Sequence, residues 1–294
     1  MCTRINAQIP QTTKPSAKSL LNETAQFIEN CYSIQSNITY QANLLSQQIN
    51  GKGTYAELRN KRIPYFRLEL KIPLGDKMGV LAKVCDGRYL WTYRKVLDHE
   101  DLEQVDMDRV QEALEKKQGN TTGQPRDRFP TTPSAFAAIG EGGLANLVRQ
   151  LNENFDFGPA TESKLDRLPI QRIEGTWKRK NLLKFLPKQK TSIEQGNAPD
   201  LSKLPPHIPD RVVVSLGRVA LPSGRQGFFP YRIEYLRTDK KDTTTKPGQT
   251  KGAIMTVYLY NVQFDPQINE SLFDYRPGEL DPEDKTSDYI QKLK

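Results

Sequence analysis

Residues 65–72, Tyr65-Phe66-Arg67-Leu68-Glu69-Leu70-Lys71-Ile72, alternate without a break. Phe66, Leu68, Leu70 and Ile72 fall on one face of an extended chain, and Tyr65, Arg67, Glu69 and Lys71 on the other. This is the period-2 pattern of a strand with one face in a core. Downstream, residues 80–85 and 88–97 are strand-like and are joined by Asp86-Gly87, a strong hairpin signal. Upstream, Ile34, Ser36, Ile38, Tyr40, Ala42 and Leu44 repeat with period 2, Gly51 and Gly53 mark a turn, and residues 54–58 form a short strand. Before these, Ser16 or Ser19 can cap a helix reaching about Asn30, with Leu21, Ala25 and Ile28 on one face. The first hundred residues therefore read as one helix and an antiparallel meander.

The middle of the chain changes character. Asp106 can cap a short helix carrying Val110 and Leu114. Residues 119–130 are a turn-rich linker. Residues 132–154 read as two short helices broken at Gly140-Glu141-Gly142-Gly143, with Phe136, Ile139, Leu144, Leu147, Val148 and Leu151 apolar. Strand patterning returns at 155–157, 168–177, 211–221, 228–237 and 253–264, while 181–195 reads as helical despite Pro187. Helices segregated from an antiparallel sheet indicate an α+β fold. A strongly curved sheet wrapping a helix would make a half-open β-barrel with that helix as lid or plug. The domain reading is a tether at 1–15, one barrel domain at 16–280 with helical inserts near 106–154 and 178–210, and a charged tail at 281–294.

Composition narrows the function. The 294 residues carry 43 Lys and Arg against 35 Asp and Glu, a net charge of +8, which favours anionic partners or a plain basic surface. No apolar window is long enough for a transmembrane helix. The two histidines, His99 and His207, lie in polar or Pro-rich stretches without a nucleophile motif beside them. Three cysteines without a CxxC pair do not supply a structural zinc site. There is no P-loop, nucleophile elbow or HExxH, and Gly140 to Gly143 lacks the strand–turn–helix context of a dinucleotide site. No catalytic residue, metal or cofactor is nominated, and the chain reads as a non-enzyme.

Two segments invite functional readings. Residues 177–190, Trp-Lys-Arg-Lys-Asn-Leu-Leu-Lys-Phe-Leu-Pro-Lys-Gln-Lys, hold six cations and no acid. Lys178, Arg179, Lys180 and Lys184 among aromatic and apolar residues suit an anionic membrane interface, a nucleic-acid backbone, or an amphipathic insert packed on the sheet with its lysines in water. On residues 88–93, Tyr89, Trp91 and Tyr93 share a face. That face is core in a closed globule and cavity wall in a half-open barrel.

Several motifs then fall in order. Lys61-Arg62-Ile63-Pro64-Tyr65-Phe66-Arg67-Leu68-Glu69 resembles the KRP-containing strand of periplasmic outer-membrane lipoprotein carriers, the LolA-like proteins. Residues 85–93, Cys-Asp-Gly-Arg-Tyr-Leu-Trp-Thr-Tyr, resemble their SDGxxLWxY hairpin. Thr132-Pro133-Ser134-Ala135-Phe136 is similar to their TPF helix start, and Phe264-Asp265-Pro266 with residues 271–277 to their C-terminal FxFxPP ending. The resemblance spans about residues 20–280. It implies a half-open barrel with a helical lid, a periplasmic or membrane-anchored setting, and lipid or lipoprotein acyl chains as partners. The implied cavity residues are Phe66, Leu68, Leu70, Trp91, Tyr93, Phe136, Ile139, Leu144, Ile233 and Tyr235. Arg62 would couple the lid, although Ile63 intervenes before Pro64. Cys2 would be the lipid-bearing residue, which leaves Cys31 and Cys85 to pair as a disulfide in an oxidising compartment. The expected function is non-enzymatic binding of acyl chains or lipoproteins, as carrier or receptor of the bacterial cell envelope. An anionic membrane or an envelope transporter is the further partner, nucleic acid is not, and the protein is expected to be a monomer. The alternative is an envelope lipoprotein that uses the barrel as an interaction module without cargo, which predicts a filled interior.

Overall fold

The computed structural model describes residues 15–44, 47–59, 63–118, 142–238 and 252–292. Helix α1 (Ala17–Asn30) is followed by six strands: β1 (Ser33–Leu44), β2 (Gln47–Leu58), β3 (Tyr65–Leu74), β4 (Lys77–Cys85), β5 (Tyr89–Val96) and β6 (His99–Asp106). Helices α2 (Met107–Gln118) and α3 (Gly143–Asn154) precede β7 (Phe155–Phe157), β8 (Thr161–Leu165) and β9 (Leu168–Trp177). Two short helices, α4 (Arg179–Leu182) and α5 (Lys190–Glu194), lead to β10 (Arg211–Ala220), β11 (Gln226–Leu236), β12 (Ala253–Phe264), β13 (Glu283–Asp284) and α6 (Thr286–Lys292). All thirteen strands join one open, curved sheet in the order β13-β6-β5-β4-β3-β2-β1-β12-β11-β10-β9-β7, with β8 also on β9. Every pairing is antiparallel except β13 on β6. The fold is the α+β open sheet with helices that the patterning indicated.

Local chemistry explains the helices. The Ser16 hydroxyl accepts from the Ser19 amide at 3.2 Å and satisfies one orphan donor of α1. The side of α1 carrying Leu20, Leu21, Ala25 and Ile28 is fully buried. The Asp106 carboxylate accepts from the Arg109 amide at 3.0 Å and caps α2. Helix α3 buries Leu144, Leu147, Val148 and Leu151 against the same core as α1. Across the α1–α3 contact Arg149 pairs with Glu29, and Asn152 donates to Asn22 at 2.8 Å.

Register decides which side chains see these helices. Glu57, Phe66, Cys85, Leu90 and Val105 form one row across β2 to β6 and so share a face. Their apolar members, with Leu68, Leu70, Ile233, Tyr235, Val257 and Leu259, belong to the core that α1, α2 and α3 cover. The alternate row is Ala56, Arg67, Val84, Trp91 and Gln104. It faces away from the helices and is covered by residues 268–280. Phe273 packs with Ala56, Leu58 and Tyr65, while Tyr275 and Leu280 pack with Val84, Trp91 and Leu102.

Two sequence expectations are revised here. Residues 283–292 are not a loose charged tail: β13 lies along β6, Thr286 is fully buried, and Tyr289 joins the main core. The helix expected over 181–195 is two short helices separated by a 3-10 turn that starts at Pro187, where the missing N–H costs nothing.

Candidate functional site: the helix-covered face of the sheet

Phe66, Leu68 and Leu70 on β3 and Ile233 and Tyr235 on β11 all lie buried on the helix-covered face, as does Leu144 at the start of α3. Trp91 and Tyr93 do not join them. Both stand on the opposite face of β5, because the chain from β3 to β5 keeps Trp91 level with Val84 and Arg67. The Trp91 ring stacks on Tyr275 at 5.5 Å and its indole N–H donates to Asp86 Oδ2 at 3.1 Å. Tyr93 donates to Glu100 at 2.9 Å at the surface. Phe136, Ile139, Arg62 and Cys2 lie outside the described residues.

The helix-covered face also holds a polar group that sequence patterning missed. Tyr55 and Glu57 occupy adjacent inward positions of β2, 0% and 1% exposed. Tyr55 Oη donates to Glu57 Oε2 at 2.6 Å and accepts from the Leu144 amide at 3.2 Å. Arg59 forms an ion pair with Glu57. Gly143, at φ +78°, brings the first turn of α3 so close that a Cβ would lie 2.9 Å from the Glu57 carboxylate. The helix N-terminus thus rests on a buried carboxylate, where its partial positive charge and free amides are best placed. Burial, reinforced by the Glu57 charge and its hydrogen bond, pushes the Tyr55 hydroxyl well above its usual pKa, so it stays a neutral donor. The signal was available: Glu57 stands two residues from Tyr55, in the phase that is apolar on neighbouring strands.

The cysteines are a correction. Cys31 and Cys85 are both buried free thiols, without the expected bridge. Cys31 Sγ donates to the Phe27 carbonyl at 3.3 Å. Cys31 caps the end of α1 before β1, whereas Cys85 ends β4, with β2 and β3 between those two strands in the sheet. Burial raises both thiols, Cys31 to about 11 and Cys85 to about 12.

The basic segment packs its apolar side chains into a small core of their own. Leu182, Leu186, Ile193, Leu204 and Ile208 meet there, with Trp177 and Phe185 beside them. Arg237, 3% exposed, ties this insert to β11 by donating to the Leu204, Pro205 and Ile208 carbonyls at 3.2, 3.0 and 3.1 Å. Trp177 Nε1 donates to the Pro209 carbonyl at 2.7 Å. Lys178 donates to the Asn152 carbonyl at 2.7 Å and Arg179 to that of Gly196 at 3.3 Å, while Lys180 and Lys184 are exposed.

A cleft of about 490 Å³ lies where β8, β9, β10 and β11 meet, with Ile170, Leu216 and Phe228 as apolar walls and Glu162, Lys164 and Arg218 at its rim. Among the described residues no three His, Cys, Asp or Glu side chains converge as a metal site. None of the described helices is long and apolar enough to cross a membrane.

No family model and no curated protein matches the chain. Among solved structures it is similar to a DUF1329 family protein from Desulfovibrio piger, at 11% identity and TM-score 0.37, covering 90% of this chain and 98% of that one. It is similar to the lipoprotein LppX of Mycobacterium tuberculosis at 9% identity and TM-score 0.33, covering 88% and 100%. It is similar, too, to a putative outer membrane lipoprotein-sorting protein domain from Vibrio parahaemolyticus at 6% identity and TM-score 0.32, covering 86% and 97%. The fold assignment stands on the strand order and register of this chain, not on these superpositions.

Proposed function

We propose that the protein binds the acyl chains of a lipid or lipoprotein on the helix-covered face of its sheet, as a carrier or receptor of the cell envelope, with α3 as the lid. One observation carries the reading. A continuous apolar face, from Phe66, Leu68 and Leu70 to Ile233 and Tyr235, shares one core with α1 and α3, and the first turn of α3 is held by the polar Tyr55–Glu57 pair. Apolar packing alone gives a lid no discrete point of release. A hydrogen-bonded first turn does, and each CH₂ of a chain entering behind it contributes about 0.8 kcal/mol. Phe66, Leu68, Leu70, Leu144, Ile233 and Tyr235 are the contact residues in this proposal.

A second reading has its own support. Leu21, Ile28, Leu144 and Ile233 are all fully buried with α3 seated, so no open space adjoins these four side chains. A filled interior fits an interaction module without cargo. Native mass spectrometry of protein purified without detergent from a membrane-bearing host, followed by organic extraction, separates the two. Stoichiometric acyl-chain mass that is lost in Leu68→Asp supports binding behind the lid. A bare mass in repeated preparations turns the reading to the module.

A further inference from the structure

The insert between β9 and β10 presents a surface that the lid reading does not use. Residues 178–203 contain seven Lys and Arg against Glu194 and Asp200, a net of +5 within a chain of net +8. Glu194 lies 3.9 Å from Lys190, and Asp200 accepts from its own neighbour Ser202 at 2.6 Å. Lys180 lies in α4, Lys184 in the turn after it and Lys188 in the 3-10 turn that starts at Pro187, while Leu182 and Leu186 belong to the small core. All three lysines are exposed, and none is paired with a carboxylate among the described residues. The apolar side chains of the segment are buried in the small core, and Arg237 ties the end of the insert to β11 through the Leu204, Pro205 and Ile208 carbonyls.

We propose that this cap docks the protein on an anionic bilayer surface through its lysines, without inserting apolar side chains. The chemistry distinguishes this partner from a nucleic acid. Nucleic-acid surfaces use arginine forks and exposed aromatic platforms. Here Arg179 donates to the Gly196 carbonyl, the other outward charges are lysines, and Trp177 and Phe185 pack on each other at 5.2 Å beside the small core. Lysine ammonium groups act as point charges that need no fixed geometry, which suits a fluid layer of phosphate headgroups. The proposal does not depend on what the sheet binds.

The test is co-sedimentation of the full chain with phosphatidylcholine vesicles, with and without phosphatidylglycerol, at low and high salt. The wild-type protein is expected to bind only the anionic vesicles and to be released by salt. The triple variant Lys180→Glu, Lys184→Glu, Lys188→Glu is expected to bind them about a hundredfold more weakly, since each surface lysine contributes about 1 kcal/mol. A charge-matched control, Lys52→Glu, Lys71→Glu, Lys116→Glu, alters exposed lysines elsewhere and is expected to retain binding. Equal loss in both variants would assign the effect to net charge and overturn the docking surface. Unchanged binding in the cap variant, with unchanged thermal melting, would overturn it too. So would tighter binding to duplex DNA than to anionic vesicles at the same salt.

Discussion

The two faces of β3, β4 and β5 are closed in different ways. On one, Phe66, Leu68, Leu70, Cys85 and Leu90 meet α1, α2 and α3 in a single core, with one buried carboxylate at the first turn of α3. On the other, the C-terminal segment crosses the strands as a strap. Phe273 stacks on Tyr65 at 5.6 Å, Tyr275 on Trp91 at 5.5 Å, and Arg67 donates to the Leu272 carbonyl at 3.0 Å. The strap covers Tyr65, Arg67, Val84, Trp91 and Leu102. Further along β3, Lys71 reaches water. The helix side is therefore closed by whole secondary elements that can move as bodies. The strap side is closed by a few aromatic anchors on a segment with little structure of its own.

That contrast can be broken on either side. The largest effect is expected from Glu57→Ala, which removes the ion-pair partner of Arg59 and the acceptor of the Tyr55 hydroxyl, and should cost about 3–5 kcal/mol in urea unfolding. Phe273→Ala should cost about 3 kcal/mol, the low end for a buried phenylalanine, because a strap can lift away without remaking the core. It should open residues 265–285 to limited proteolysis while α3 stays protected. Phe273 packs on Ala56 and Leu58, the chain neighbours of Glu57, so the double variant should show a coupling above about 0.5 kcal/mol carried by β2, and strict additivity would show that the faces act independently.

Alkaline pH probes the helix side. Cys31 and Cys85 hold their protons to about 11 and about 12 in the fold, against 9.0 for an ordinary thiol. Above pH 9 the unfolded chain releases protons that the folded chain keeps. The stability these thiols contribute is complete below pH 9 and is lost as pH rises through 11 and 12. Tyr55 and Tyr235, also raised by burial, act in the same direction above pH 10. Unfolding free energy measured against pH should fall over this range and flatten in Cys85→Ala. Both thiols should resist labelling at neutral pH in the folded protein and react in urea. At the small end, Lys95→Ala removes an exposed pair with Glu100 and should change stability by less than about 0.5 kcal/mol.

The strands, the hairpin at Asp86-Gly87 and the α+β class were readable because period 2 and turn chemistry are local. The face of Trp91 was readable as well, but only through parity. Gly75-Asp76 and Gly87-Arg88 are both two-residue turns, and an even turn keeps even-numbered residues of β3 and β5 on one face. Trp91 is odd and Phe66 even, so they part. Matching hydrophobicity without counting the turns puts them together. The role of residues 268–280 was not readable, because Phe273 and Tyr275 find their partners about two hundred residues back along the chain. The disulfide expectation failed for a related reason: cysteine counting carries no register, and Cys31 and Cys85 are separated by the strands that lie between them.

Strand β1 pairs with β2, its neighbour in sequence, and with β12, more than two hundred residues later, from Ile34 opposite Phe264 to Ala42 opposite Met255. At a ribosomal rate of roughly 5–20 residues per second, β1 waits about 10 to 45 s for its second partner. Through that interval one edge of the N-terminal meander is an open template, and α1 has no β11 to rest on. The nascent chain is thus most vulnerable to association with another copy in its first half, and a chaperone that shields β1 should raise the yield of folded protein more than one that acts on the finished chain.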